Sequence, residues 1–248
     1  MAEVLVVTGG SRGIGRATAR LAAERGYSVA VNYVRDQGAA DALVNELREL
    51  GVAALAVQAD VSREADVVQL FEAVDAALGR VTVLVNNAGI VDRQARVEDF
   101  SEARLARMFA TNVIGSFLCA REAVRRMSTR HGGAGGAIVN VSSTASRLGS
   151  AGEYVDYAAS KAAIDTFTLG LAREVAAEGI RVNAVRPGII QTEIHASGGD
   201  PDRPERLRSA LPLGRAGLPE EVARAVLWLA SAEASYCAGT ILDVGGGR

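Results

Sequence analysis

Seven short apolar runs punctuate the chain: "VLVVT" (4–8), "SVAVN" (28–32), "AALAVQ" (53–58), "VTVLVNN" (81–87), "AIVNVS" (137–142), "IRVNAVRP" (180–187) and "TILDV" (240–244). They are rich in valine and isoleucine and lack polar alternation, as strands covered on both faces do, which predicts seven parallel strands. Between them lie stretches with apolar residues at helical spacing, such as "GRATARLAAERG" (15–26), "AADALVNELRELG" (39–51) and "EADVVQLFEAVDAALG" (64–79), each ending in glycine. Longer helices are expected near 101–128 and 157–178. Strand and helix alternating throughout predict a doubly wound α/β sheet with helices on both faces.

At 248 residues the chain is within reach of one hydrophobic core, and a single domain over 1–248 is expected. "GGAGG" (132–136) reads as a flexible connection between a long helix and the fifth strand. Residues 195–217 hold three of the five prolines and a cluster of charge. Such a segment in a compact domain reads as a functional loop, here covering a substrate over about 193–217.

Composition removes several function classes. With 29 acidic and 27 basic residues the net charge is −2, far from the positive field that phosphate-backbone binding needs, so no nucleic-acid partner is expected. Cys119 and Cys237 sit in apolar surroundings and read as small buried hydrophobes. With His131 and His195 they form no zinc-like spacing, and no metal is expected. No run approaches the ~18 apolar residues of a membrane span. The start, "MAEVLVVTGG", carries no basic leader, so a soluble cytoplasmic protein is expected.

Immediately after the first strand, "TGGSRGIG" (8–15) places Gly9, Gly13 and Gly15 in the turn that opens the first helix. Glycines let backbone approach a pyrophosphate, and the helix N-terminus offers unpaired N–H groups and a positive dipole end. The G-x-x-x-G-x-G spacing differs from G-x-G-x-x-G and lacks the Gly-Lys-Ser/Thr of a P-loop, so close packing alone is the competing explanation. A site preferring NAD carries an acid at the end of the second strand, roughly 20 residues on. Here that strand ends "VNYVRD", with Asn32 and Tyr33 at that place, while Arg12 and Arg35 can pair with a 2′-phosphate. This favours NADP(H), with Asp36 near enough to keep NAD(H) open.

The chain has 26 arginines and one lysine, Lys161, four residues after Tyr157. That spacing puts the phenol and the ammonium on one helix face. With a pKa of about 10, tyrosine is only ~0.1% phenolate at neutral pH, a deficit of roughly 4 kcal/mol that a nearby ammonium is expected to reduce. A compact ammonium can also donate to ribose hydroxyls, which a flat guanidinium does differently. Tyr154, with no lysine four residues on, reads as pocket wall or packing.

"TGGSRGIG", "NNAG" (86–89), Asn112 in "ATNVIGSF", "NVSS" (140–143), "YAASK" (157–161) and "RPGIIQT" (186–192) occur in one order over the whole chain. In this the sequence resembles the single-domain short-chain dehydrogenases/reductases, which implies a Rossmann-type seven-stranded sheet and NAD(P)-linked interconversion of a carbonyl and a secondary alcohol. The resemblance implies Tyr157 as acid/base, Lys161 as its tuner and ribose ligand, Ser143 as partner of the substrate carbonyl, and Asn112 as anchor of a proton-relay water. The stretch between the serine pair and Tyr157 is about one residue longer than in many relatives, so Ser142 competes with Ser143.

For the cofactor the resemblance implies the glycine loop with Ser11 and Ile14, Asp60 and Val61 near the adenine, and Asn86, Ala88 and Gly89 beneath the ribose. Pro187, Gly188, Ile190 and Thr192 would surround the nicotinamide and phosphates. Asp60 could equally cap a helix before "SREAD". Within the family the chain looks most like 3-ketoacyl-carrier-protein reductases and glucose or sugar dehydrogenases, which implies a small-molecule substrate and a homodimer or homotetramer. Arg203, Arg206, Arg208 and His195 could meet an acidic substrate, though a solvated helix face is the plainer reading. A non-catalytic dinucleotide sensor would be marked by a damaged tetrad, whereas Asn112, Ser143, Tyr157 and Lys161 are all present.

Overall fold

Seven parallel strands form one sheet in the order β3-β2-β1-β4-β5-β6-β7. They are β1 (Val4–Val7), β2 (Ser28–Tyr33), β3 (Ala54–Gln58), β4 (Val83–Asn86), β5 (Gly136–Val141), β6 (Ile180–Pro187) and β7 (Ile241–Val244). The computed structural model describes residues 3–248, so part of the reading of the chain's start, at residues 1 and 2, lies outside the described residues. All seven apolar runs hold strands, with ends that agree with the runs to within two residues.

The longer helices are α1 (Gly13–Glu24), α2 (Gln37–Glu49), α3 (Glu64–Ala77), α4 (Glu102–Phe109) and α5 (Gly115–Met127). After β5 come α6 (Ala145–Leu148), α7 (Val155–Val175), α8 (Ile194–Ser197), α9 (Arg203–Arg206) and α10 (Pro219–Ala230). Alternate residues of one strand face opposite layers. Leu5 and Val7 join the cluster that includes Ala19 of α1, Leu43 of α2 and Val226 of α10. Val4 and Val6 join the cluster that includes Phe71 of α3, Cys119 of α5 and Ala172 of α7. Both faces are therefore dry, which is why β1, β2 and β4 carry no polar alternation.

The strand order reverses at β1, with β2 on one side and β4 on the other. Connections leaving the carboxyl ends of β1 and β4 diverge there, and the crevice between them is where open α/β sheets bind ligands.

Three local features depart from the sequence reading. The helix expected over 101–128 is α4 and α5 joined by a π-helical turn, Ala110–Ile114, which contains Asn112. The segment 195–217 is built from α8, α9 and short turns rather than irregular loop. Cys119 is fully buried, and burial pushes its thiol up to about 12. Cys237 is only half-buried, packed at the edge of the first cluster. Among the described residues no helix is long and apolar enough to cross a membrane.

Candidate active site

A cleft of about 800 Å³ runs from the glycine loop, across the carboxyl ends of β1, β4 and β5, to the first turns of α7 and the segment that carries α8 and α9. Its floor at the β1 end is main chain held by side chains from neighbouring strands. Thr8 accepts hydrogen bonds from the amides of Asn87 and Ala88, both at 3.0 Å. Asn87 donates from Nδ2 to the carbonyls of Thr8 (2.8 Å) and Gly9 (3.0 Å). Asn32 accepts from the Gly9 amide at 3.2 Å and donates to the Ala59 carbonyl at 2.8 Å. These bonds hold together the loops leaving β1, β2, β3 and β4.

Two glycines are sterically required. Gly13 adopts φ +53° at the mouth of α1, a left-handed conformation disfavoured for other residues. A Cβ on Gly15 would lie 2.5 Å from the Gly9 carbonyl oxygen and 2.6 Å from Asn87 Nδ2. The N-cap residue of α1, Arg12, gives no side-chain acceptor to the helix amides, which leaves them for a ligand.

The loop from Gly9 through Ser11, Arg12, Gly13 and Ile14 lines this end of the cleft. Tyr33 and Arg35 from the end of β2, Asp60 and Val61 after β3, and Ala88 and Gly89 after β4 line it too. Pro187, Gly188, Ile190 and Thr192 line the far wall. The guanidinium groups of Arg12 and Arg35 have no ion-pair or hydrogen-bond partner among the described residues. The Asp36 carboxylate caps α2, accepting from the Ala39 amide at 2.9 Å. Asp60 is turned onto Ser62, accepting from its amide (3.0 Å) and hydroxyl (2.7 Å), and the N-cap of α3 is Arg63.

Four residues expected to touch a ligand or to carry chemistry are instead buried behind the wall. Gly15 and Asn32 are covered by the loop they support. Asn86 points under the sheet edge, donating to Asn140 Oδ1 (3.0 Å) and the Ser116 carbonyl (3.2 Å), with its own Oδ1 unpartnered. Asn112 bridges three segments: Oδ1 accepts from the Ile90 amide (2.8 Å), and Nδ2 donates to the Ile90 carbonyl (3.0 Å) and to Ser160 (3.0 Å). Asn32 and Asn86 stand at strand ends, a position that alone does not distinguish such packing from ligand contact. Asn87 is the converse case: it lines the cleft and clamps the loop, and the "NNAG" run that contains it was the available signal.

Tyr157, Lys161 and Ser143 all line the same stretch of cleft. The first turn of α7 is fixed by a buried ion pair, Arg104 to Asp156 at 2.7 and 3.2 Å, with Arg104 also stacked 4.1 Å from the Phe100 ring centroid. One turn on, Lys161 Nζ donates to the Val141 carbonyl at 2.7 Å and lies 5.7 Å from the Tyr157 ring centroid. The two serines are separated by their bonds. Ser142 is buried and donates to the Lys161 carbonyl at 3.1 Å. Ser143 accepts from the Ala145 amide at 3.1 Å and faces the Tyr157 hydroxyl.

Burial raises the Tyr157 pKa above its ordinary value, and the Ser143 hydroxyl draws it back. Burial also presses the Lys161 ammonium down to about 8, with Asp165 opposing. The bond to the Val141 carbonyl takes up one of the three ammonium protons.

At the opposite end, Tyr154 forms wall, as its sequence position suggested. His195 bonds the Ile190 carbonyl at 2.8 Å, and burial lowers its pKa. Arg206 pairs with Asp200 and Arg208 with Glu205, both exposed. Arg203 departs from a solvated helix face: it is buried, forks onto Glu153 at 2.5 and 3.1 Å and lies 5.1 Å from the Tyr154 ring centroid.

The family model described as "Enoyl-(Acyl carrier protein) reductase" matches residues 9–248. An uncharacterized oxidoreductase of Escherichia coli, YgfF, is 57% identical over 245 residues, 99% of each chain. This chain is a short-chain dehydrogenase/reductase. A short-chain dehydrogenase from Burkholderia cenocepacia, solved in complex with NADP, superposes with a TM-score of 0.90 at 32% identity, covering 99% of this chain and 97% of its own. A 3-ketoacyl-(acyl-carrier-protein) reductase from Brucella melitensis, solved with NADH, gives 0.91 at 32% identity, covering 99% and 98%. The fold is thus the Rossmann-type sheet of this enzyme family, and the chain is one of its oxidoreductases.

Proposed function

We propose that the protein is an NADP(H)-dependent carbonyl reductase, interconverting a ketone and a secondary alcohol with Tyr157 as acid/base. The observation that carries this reading is the juxtaposition in one cleft of the glycine loop, Lys161, and Tyr157 with Ser143 beside it. The loop fits a dinucleotide: its helix amides are uncapped, and a Cβ at Gly9 would stand 3.0 Å from the Ala88 main chain, so the floor is as close as backbone can come. The phosphorylated form is favoured by partnerless Arg12 and Arg35 and by Asp36 being engaged as a helix cap. The NADH held by the Brucella relative keeps the unphosphorylated form as an alternative.

When bound, the nicotinamide supplies or accepts hydride. Tyr157 donates its hydroxyl proton to the substrate oxygen during reduction and recovers one during the reverse reaction. Burial holds its pKa above the ordinary value, with the Ser143 hydroxyl opposing. Ser143 donates a hydrogen bond to the same oxygen as charge develops there. Lys161 offers donors to a ribose hydroxyl from its place at the end of β5. Asn112 is a positioning residue, tying the π turn to Ile90 and to Ser160 beside Lys161. The exposed Phe117, stacked on Phe167 at 3.8 Å between ring centroids, and exposed Leu169 give α5 and α7 an apolar face on which copies would pair into a dimer or tetramer in the cytoplasm.

The test is titration of NADPH and NADH fluorescence, followed by a panel of ketones with wild type and Tyr157→Phe. Quenching by NADPH more strongly than NADH, with turnover down about 1,000-fold in the variant and nucleotide binding retained, is expected. Absence of quenching by either nucleotide, or undiminished turnover without the phenol, overturns the reading.

A further inference from the structure

Asp165 stands one turn after Lys161 on α7, and the reaction described above makes no use of it. It is one of two buried acids on that helix, and the two are answered differently. Asp156 meets Arg104 through both of its oxygens, at 2.7 and 3.2 Å. Asp165 meets Arg186 through Oδ2 alone, at 3.0 Å from Nε and 2.9 Å from Nη2, while its Oδ1 is buried with no hydrogen-bond partner among the described residues.

The cation that meets Asp165 is itself shared. Arg186 Nη1 lies 3.7 Å from Asp243 Oδ1, and Asp243 pairs with Arg147 at 3.1 Å. The row Arg147, Asp243, Arg186, Asp165 runs inward, with side-chain exposures of 47, 38, 17 and 10%. It holds two charges of each sign, and water screens the outer pair far more than the inner one. The interior end of the row is therefore a carboxylate with one oxygen bare.

The next charge along α7 is the Lys161 ammonium, which is buried and has no ion-pair partner among the described residues. Residues four apart on a helix are neighbours, with Cβ atoms about 5–6 Å apart. Adjacent strand ends hold both residues. Lys161 Nζ bonds the Val141 carbonyl of β5 at 2.7 Å, and Ser142, whose amide donates to Val185 of β6, donates its hydroxyl to the Lys161 carbonyl at 3.1 Å. Arg186 follows Val185 and ties the end of β6 to Asp165. The other groups about the ammonium, the Tyr157 ring at 5.7 Å and Asn112 across Gly89, carry no charge. Burial presses the ammonium toward its neutral form, and Asp165 opposes it.

We propose that Asp165 is a positioning residue of the reductase, keeping the buried Lys161 ammonium protonated from one turn behind while Arg186 fixes the carboxylate to the end of β6. This rests on the reductase reading above and adds to it the group that sets its alkaline limit.

Lys161 is the only lysine, so protein made with 13C-labelled lysine gives one side-chain signal, and its pH titration reads this amine without any turnover. Asp165→Asn is expected to weaken proton binding about 10-fold or more, moving the midpoint from about pH 8 to about pH 7, while Asp165→Glu stays within ~3-fold of wild type. Asp165→Asn combined with Arg186→Gln adds no unpaired buried charge, so it tests the same point if the single variant does not fold; the midpoint falls there too, by less. An unchanged midpoint in either folded asparagine variant, or an equal fall in Asp165→Glu, overturns the proposal. In a second measurement, kcat/KM with NADPH and the best ketone of the panel is expected to fall about fivefold in Asp165→Asn at pH 8 and scarcely at pH 6, with Asp165→Glu restoring it. An equal loss at both pH values marks a merely structural residue and overturns the proposal. If every ketone fails, the reductase reading falls, and the lysine titration still decides whether Asp165 governs the ammonium.

Discussion

The glycine-loop end of the cleft is shaped by main chain that buried neutral amides hold in place, whereas the opposite end is shaped by charged side chains on short helices and turns. At the first end Asn32, Asn87 and Thr8 tie four strand ends together through backbone groups. At the second, Arg203 forks onto Glu153 and lies over the Tyr154 ring in the cleft wall. Neutral amides bonded to backbone lose little on burial where their donors and acceptors are answered, and they fix position. The charged side chains at the other end are answered by one another, and their pairing shapes that wall. A dinucleotide common to many relatives suits the first construction, and a substrate particular to one chain suits the second.

The contrast can be broken most forcefully at Gly15. Gly15→Ala puts a methyl group against the Gly9 carbonyl, so the loop must move; nucleotide affinity is expected to fall about 100-fold or more, read by fluorescence titration. If affinity holds, backbone approach is not what shapes that end. Next comes Asn32→Ala, which leaves the Gly9 amide and the Ala59 carbonyl unanswered in the interior. A loss of about 3 kcal/mol is expected in urea unfolding, together with weaker nucleotide binding.

Lys161 sits between the two constructions, a charge used in a buried place. The folded chain gives up its proton near pH 8, below the ordinary lysine value of 10.5. The unfolded chain therefore binds more protons over that window, so burial of the ammonium costs stability below pH 8 and the cost shrinks as pH rises toward 10.5. Relative to Lys161→Met, the nucleotide-free wild type should gain about 2 kcal/mol in unfolding free energy between pH 7 and about pH 9.5. A flat difference would show the lysine to be solvated. The smallest effect is expected from Arg12→Ala with Arg35→Ala. Because neither guanidinium is bonded to the protein, Tm should hardly move, while the NADPH-to-NADH ratio of kcat/KM falls roughly tenfold, about 1.4 kcal/mol.

How much of this was legible follows the same division. The strands could be read because both faces are buried, so their composition carries the message without knowledge of partners. The glycine loop, Tyr157 and Lys161 could be read because their spacing is local. Arg203 could not: its partner, Glu153, is 50 residues upstream, and nothing near either residue announces the pairing. Asn32 and Asn86 occupy the strand ends expected, yet their side chains turn inward to backbone that only the assembled sheet brings near. The interruption of the 101–128 helix was equally hidden, because Asn112 is held by Ile90 and Ser160 from elsewhere in the chain.

That interruption sets the phase of everything after it. An α-helix turns by about 100° per residue, so a wide turn that accommodates an extra residue rotates the following segment relative to the preceding one. Through Ala110–Ile114 the chain passes from α4, whose Arg104 braces α7, to α5, whose Cys119 and Ala123 lie flush on the sheet. One continuous rod would have to choose between those two orientations. The widened coil lets a single stretch of polypeptide serve as strut on one side and lining on the other.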